Sequence, residues 1–454
     1  MEGQQNNKII IKSPGKSLLS GGYLILDKSK RGLVINIDTY ITCESFYLIK
    51  EKSKETEKNY LQFNIYSEYL NQNFNYLVSL DFNNENEIKI YEKEDKDNKW
   101  IKNCIISSLI IYLSQYNYLN ELFNSKTQIE INIDIKSDYR FYSYSPDNIS
   151  QKIKTGLGSS SAFINSLTSN LILTYEKIFS KKNYPNNIVI KNLDDNNIKA
   201  IILGSCLLSN NLSQNKIGSC FDIISSLFGS QIFKQTEQNI FLNSPFYLNS
   251  ENISKINNLL EYLKSSYIPN ILFLNENNKY LHNKIYFISI EIGSDTRILV
   301  KKVLEYANNK KKEKLYDDDD LFSQLNELNE KIINTFLNDS NTNNSLIKEL
   351  CIKYRTILRK ISEESKVDIE PTILTPLLDD LIKLDNIIYA ICPGAGGYDS
   401  IIIMAKEKIN ESELIKNIND IIDNFNSKNH DNKLNIKANL MDVNISIIPG
   451  TIIL

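Results

Sequence analysis

The chain has 454 residues and 52 Lys plus Arg against 55 Asp plus Glu, a balance that gives no argument for non-specific nucleic-acid binding, which needs a basic face. Its 42% hydrophobic and 24% charged residues are those of a globular protein, too long for one core and best divided in two. Six scattered cysteines without a C-x-x-C pair, and only two histidines (His282 and His430), argue against a disulfide framework, a zinc site and Ser–His–Asp chemistry. The opening MEGQQNNKIIIKSPGK lacks the apolar core of a signal peptide, and no run is long enough to span a bilayer. A cytoplasmic protein without membrane contact is therefore expected.

In chain order, Lys8–Ile11 reads as a strand, SPGK as a turn and the run through GGYLIL as a second strand. Residues 33–49 alternate as β structure, 53–100 carry short strand signals, and 101–115 have a helical pattern. QIEINIDIK is the clearest strand: Ile129, Ile131, Ile133 and Ile135 share one face, and Glu130, Asn132, Asp134 and Lys136 the other. A loop over 137–153 leads into KTGLGSSSAFINSL, where Phe163, Leu167 and Leu171 recur every four residues and predict a helix to Phe179. Further helices are expected over 197–211 and 219–229, then a break near 235–270 and a strand in NKIYFISIEIG. The charge block NNKKKEKLYDDDDLF (308–322) reads as a solvated loop. Helical patterns over 321–338 and 344–365 precede a strand (NIIYAIC), a glycine turn (PGAGGYDS), a strand (IIIMA), a helix and a last strand near 433–447.

Three glycine-containing stretches carry chemical interest: SPGKSLLSGG (13–22), GLGSSS (156–161) and PGAGGYD (393–399). None matches a Walker A loop or a Rossmann turn. In GLGSSS the glycines permit positive φ, and the following helix adds unpaired amides and its positive end, which together make an anion site. A serine N-cap after a glycine turn is the other reading. KIGSCFD (216–222) sets a cation, a Gly-Ser turn and a carboxylate at a helix start, where Asp222 either serves chemistry or complements the helix dipole. PGAGGYD is either a glycine-rich hairpin or a turn that another group approaches closely.

Taken in order, PGK…GGYLIL, KTGLGSSSA and PGAGGYDSIII resemble the three motifs of the GHMP kinase superfamily. Within it the chain is most similar to the eukaryotic-type phosphomevalonate kinase family. That similarity lies in GGYLIL where mevalonate kinases carry Glu-His, in KTGLGSS and KIGSCFD, in GSDT (293–296) followed by LVKKV, and in RKISEESKVDIEP…LLDD. It runs from residue 8 to residue 405. Cys220 and Asn215 stand where the family usually has Gly, Ser161 where it has Ala, and Arg297 where smaller residues are usual.

The resemblance implies an α+β, two-domain GHMP kinase fold: a ribosomal-protein-S5-like N-terminal domain (1–235), a ferredoxin-like C-terminal domain (236–454) and an active site in the cleft between them. It implies transfer of the ATP γ-phosphoryl group, with Mg²⁺, to (R)-5-phosphomevalonate in the mevalonate pathway of isoprenoid and sterol precursor synthesis. Another GHMP small-molecule kinase, such as mevalonate kinase, is the alternative. Lys16 and Asp222 are the implied catalytic residues. Lys154, Gly156, Leu157, Gly158, Ser159 and Ser160 would hold the ATP phosphates, with Ser159 also at the metal. Ser219, Ser294, Gly394, Ala395, Gly396 and Gly397 would meet the acceptor. The partners are then ATP and 5-phosphomevalonate, with no nucleic acid and no membrane, in a monomer or dimer.

Overall fold

A computed structural model describes residues 8–454 except 52–59, 82–86, 94–96, 117–126, 146–147, 244, 276, 291, 293, 295, 313–319, 339–342, 430–435 and 447–449. The chain begins with β1 (Ile9–Ser20), β2 (Arg31–Glu51), β3 (Leu61–Ser67), β4 (Gln72–Asp81), β5 (Glu87–Glu92), α1 (Lys99–Gln115) and β6 (Thr127–Ser137). The hairpin β7 (Tyr142–Ser145) and β8 (Asn148–Lys154) leads to α2 (Ser159–Tyr175), β9 (Ile188–Val189), α3 (Asn196–Gln214), α4 (Phe221–Phe228) and β10 (Gln231–Lys234). Then come α5 (Ser250–Tyr262), β11 (Leu272–Phe273), β12 (Lys284–Ile290), α6 (Thr296–Lys312), α7 (Leu321–Leu337), α8 (Asn344–Ser365) and α9 (Thr375–Lys383). The last elements are β13 (Ile387–Ile391), β14 (Ser400–Ala405), α10 (Glu411–Asn429), β15 (Ala438–Met441) and β16 (Ile452–Ile453). The class is α+β, as expected.

Two sheets organise the molecule. The larger runs β5-β4-β3-β6-β2-β1-β16-β9, with β10 and β11 attached to β2. β6 lies inside it, parallel to β3 and antiparallel to β2, and its four alternating isoleucines are all buried, as the period-two pattern demands. Helices α1, α2, α3 and α5 layer beneath this sheet, with α2 against β1 and β2. Because α2 is covered on nearly every side, its polar residues must find partners inside: Asn170 Nδ2 donates to the carbonyls of Ile9 and Cys43, and Ser45 and Thr174 hydroxyls pair at 3.1 Å.

The second sheet, β13-β14-β12-β15, is antiparallel throughout. One face packs on α9 and α10 through Leu377, Leu381, Ile418 and Phe425. On the other side α7 and α8 fill the space towards the large sheet, where Asn329 Nδ2 donates to Arg31 C=O and the Tyr389 hydroxyl to Leu19 C=O. Near its end the chain returns to the large sheet, so β16 lies between β1 and β9.

Several local expectations change. SPGK is not a turn: β1 continues through it, and Pro14, which has no N–H to donate, sits at a register shift against β2. GGYLIL is not a strand, since Tyr23 takes φ 64° and Leu24–Leu26 close a 3-10 turn that buries Leu24 and Ile25. The loop expected over 137–153 contains β7 and β8, and α5 lies inside the expected break at 235–270. The block 308–322 begins as the last turn of α6, while 313–319 fall outside the described residues. The strand near 433–447 is reduced to β15 among the described residues. No helix among them is long and apolar enough to cross a membrane.

A buried hydroxyl adds to the strand pairing that holds the returning chain end. Thr451, fully buried, pairs its Oγ1 with Ser13 Oγ at 2.9 Å and with the Ser226 carbonyl at 3.1 Å. Thr451→Val strands both partners in the core, so chemical denaturation should show a loss of about 1–3 kcal/mol.

Candidate active site

The site forms where the three glycine stretches converge. Pairing with β2 holds β1 extended, and the Lys16 N–H donates to the Leu157 carbonyl at 3.0 Å, locking the second stretch onto the first. Gly158 follows in the left-handed region (φ 84°), and a Cβ there would lie 2.8 Å from Lys16 Cε. Glycine is therefore needed twice over, for the backbone and for the passage of the lysine stem.

Gly158 is also the N-cap of α2, and no side chain caps that helix. The serine N-cap alternative is thus set aside: Ser161 Oγ turns back to donate to the Gly158 carbonyl at 2.8 Å, and the helix's first amides stay available. Ser160 lines the cavity. Ser159 is only 7% exposed and is not among the residues that line it.

That cavity has a volume of about 360 Å³ and brings together Lys16, Gly156, Ser160, Ser219, Asp222, Gly394, Ala395 and Gly396 of the expected residues. Leu157, Gly158, Ser159, Ser294 and Gly397 are not among its lining residues, and neither is Lys154, which is exposed at the end of β8. Ser294 is a brace: its N–H donates to Asp399 Oδ1 and its Oγ accepts from the Tyr398 N–H, both at 2.6 Å. The neighbouring Gly293 and Asp295 of GSDT lie outside the described residues.

Asp222 stands on the first turn of α4, whose N-cap is Cys220 in the left-handed conformation. Asp222 acts on Lys16 through its field rather than through a direct ion pair. Lys16 Nζ instead lies 4.8 Å from the centre of the Phe221 ring. Burial pushes the Lys16 ammonium pKa down, and the fields of Asp222 and Asp399 oppose that shift. Both carboxylates thus favour its charged form against the cost of burial.

Asp399 was not singled out beforehand, although it closes PGAGGYD. Burial raises its carboxyl to about 6, partly offset by the Ser294 N–H and by Lys16. Lys216 and Arg297 also line the cavity, which thus holds Lys16, Lys216 and Arg297 together with Asp222 and Asp399. The signal that marks Asp399 in the sequence is a charge placed beside a glycine turn.

No family model matches the chain. Over 421 residues it is 24% identical to a phosphomevalonate kinase of Candida albicans, covering 87% of this chain and 89% of that one. It is 22% identical over 476 residues to a peroxisomal phosphomevalonate kinase of Arabidopsis thaliana, with 87% and 89% covered. Its fold is like that of Streptococcus pneumoniae phosphomevalonate kinase, solved with phosphomevalonate and AMPPNP, at a TM-score of 0.54 and 13% identity over 96% of this chain and 99% of that one. The fold is like that of solved GHMP kinases, and the converging motifs agree with that likeness. The relatives that the chain resembles over most of its length are phosphomevalonate kinases.

Asp399 has a consequence for stability. Its folded value of about 6 lies above the ordinary 3.8, so folding favours its protonated form. The stability this contributes is complete below pH 3.8 and is lost as pH rises through 6. Asp399→Asn keeps the Ser294 hydrogen bond without the charge, and unliganded protein at pH 7.5 should gain about 1–3 kcal/mol over the parent in thermal or urea unfolding. The gain should vanish on acidification to pH 4.

Proposed function

We propose that the chain catalyses attack by a phosphate oxygen of (R)-5-phosphomevalonate on the γ-phosphorus of ATP, forming (R)-5-diphosphomevalonate and releasing ADP. The observation that carries this reading is the single cavity uniting Lys16, Asp222, the uncapped start of α2 and the 394–396 loop. The acceptor is a phosphate monoester with a second pKa of about 6, largely dianionic at neutral pH, so little proton abstraction is required. Charge is the larger obstacle. Two unit charges 4 Å apart repel by about 4 kcal/mol at an effective dielectric of 20, and the site has to offset several such pairs.

In this reading the amides at the start of α2 and the Gly156–Ser160 turn hold the ATP phosphates. Lys16 lies between donor and acceptor and stabilises charge on the transferring group. Asp222 orients Lys16 through its field and takes any residual proton. Ser219 and Gly394–Gly396 face the acceptor, while Ser294 and Gly397 support that wall. Lys216 and Arg297 add positive charge to it.

Mg²⁺ is a hard cation suited to phosphate and hydroxyl oxygens, and it would supply neutralisation of the ATP phosphates. No cluster of three or more His, Cys, Asp or Glu residues able to hold an ion exists among the described residues, which fits an ion arriving with the nucleotide. Ser160 is the hydroxyl offered to the cavity for it, in place of Ser159. We read the large sheet with its helices as the S5-like domain, to which α5, β11 and β16 return from beyond residue 235, and the four-stranded sheet with α9 and α10 as the ferredoxin-like one, with the active-site cleft between. Cytoplasmic residence is likewise our proposal.

A coupled assay for ADP should show turnover with 5-phosphomevalonate and little with mevalonate; the opposite preference overturns the assignment. Lys16→Met should lower kcat by about 10²–10³ without unfolding the protein. Normal turnover in that variant removes Lys16 from its role. Asp222→Asn should lower kcat while nucleotide affinity holds, and loss of ATP binding alone would show that Asp222 is misplaced.

A further inference from the structure

The segment RKISEESKVDIEP…LLDD takes no part in the chemistry just described, yet it forms a dense buried polar network. Arg355 of α8 is 1% exposed and donates in a fork to Glu370, Nε to Oε2 at 2.9 Å and Nη2 to Oε1 at 2.8 Å. Its Nη2 also reaches Asp379 Oδ1 at 2.8 Å, and Thr375 Oγ1 and Arg359 Nη1 complete the shell of Glu370 at 3.1 and 3.2 Å. Glu370 is held as firmly as a buried carboxylate can be.

Beside it is Ile369. The Ile369 carbonyl accepts the Gly397 N–H at 3.0 Å, and a Cβ at Gly396 would run into that carbonyl. The Tyr398 hydroxyl also reaches Asp368 Oδ2 at 3.3 Å. One side of the 393–399 loop therefore hangs on 368–370, which hangs on Arg355. Tyr354, the preceding residue, holds the opposite wall: its buried hydroxyl accepts the Gly21 N–H at 3.0 Å. The two walls meet, because the Gly394 N–H donates to the Leu18 carbonyl at 3.2 Å and the Tyr23 hydroxyl to the Ala395 carbonyl at 2.6 Å.

We propose that Tyr354 and Arg355, with Glu370, are positioning residues that set the acceptor end of the cavity from one rigid helix. The inference rests on the functional reading above, which places the acceptor against Gly394–Gly396. A buried ion pair adds little net stability over a well-packed apolar pair, whereas a bidentate fork fixes orientation narrowly. Such a pair belongs where geometry has to be held. The ATP cradle is anchored separately, by Lys16 N–H on Leu157 and by α2 on β1 and β2, so a disturbance in α8 should spare it.

The test uses the full chain with Tyr354→Phe and Glu370→Gln. Steady-state kinetics are measured against 5-phosphomevalonate and ATP, and AMPPNP affinity by calorimetry. Acceptor kcat/KM should fall about 3- to 10-fold in Tyr354→Phe and about 10- to 100-fold in Glu370→Gln, with acceptor KM rising and AMPPNP affinity within about twofold of the parent. Equal losses in AMPPNP affinity, or an unchanged acceptor KM in a folded variant, overturn the proposal. Should Glu370→Gln fail to fold, Tyr354→Phe, which removes one hydroxyl, decides alone. A parent inactive towards 5-phosphomevalonate refutes the functional reading instead, and the same comparison then proceeds with mevalonate as acceptor.

Discussion

The hydrogen bond from Lys16 N–H to the Leu157 carbonyl is the contact on which the site depends. It joins a strand in the middle of the large sheet to the turn that begins α2, and so places a lysine stem across the open end of a helix. That approach requires Gly158, whose missing side chain leaves the lysine its path. The same missing side chain leaves the helix without a cap, so amides and ammonium face one hollow together. Anion affinity arises here from what the backbone lacks as much as from the charges it carries.

Charge in this hollow is balanced at a distance. Burial disfavours the Lys16 ammonium, and Asp222 and Asp399 support it without touching it. Direct ion pairs would occupy the donors that a transferring phosphoryl group needs. A lysine held cationic by fields alone keeps its hydrogen-bonding capacity for substrate, which is the preorganisation that phosphoryl transfer rewards. Asp399 meets the same burial from the other side: desolvation raises its carboxyl to about 6, while Lys16 and the Ser294 N–H favour its charged form.

Much of this was legible in the residues, where the signal was periodic or punctuated. The isoleucine alternation of 129–135 defined a strand, and the four-residue recurrence after Gly158 defined a helix. The glycine stretches marked the segments that converge on one cavity. What misled were local patterns that tertiary contacts override. Pro14 looked like a turn, but a bulge absorbs it within β1. The apolar run of GGYLIL looked extended, but Tyr23 at φ 64° turns it. Helix α5 was obscured by asparagines on its exposed face, and β16 has too few residues to show any period. Asp399 and the Arg355 network were missed because their roles exist only once distant segments are brought together.

The departures from the family pattern have a physical account in the same terms. Cys220 and Asn215 stand where glycine is usual, and both adopt left-handed backbone, at φ 57° and 54°. Asn215 is the C-cap of α3, a place that asparagine occupies at little cost. Cys220 is less suited to that conformation, and its compensation is visible: the thiol is buried among Asn210, Asn211 and Asn239, with sulfur contacts of 3.5–3.6 Å. Those three amides come from α3 and from the segment after β10, so the side chain that strains the backbone also ties the start of α4 to two neighbours. Asp222 is two residues further on. The substitution therefore leaves the carboxylate on a turn that is more firmly attached than a glycine would make it, and the backbone path demanded by the motif survives a change of residue that the motif alone would count against it.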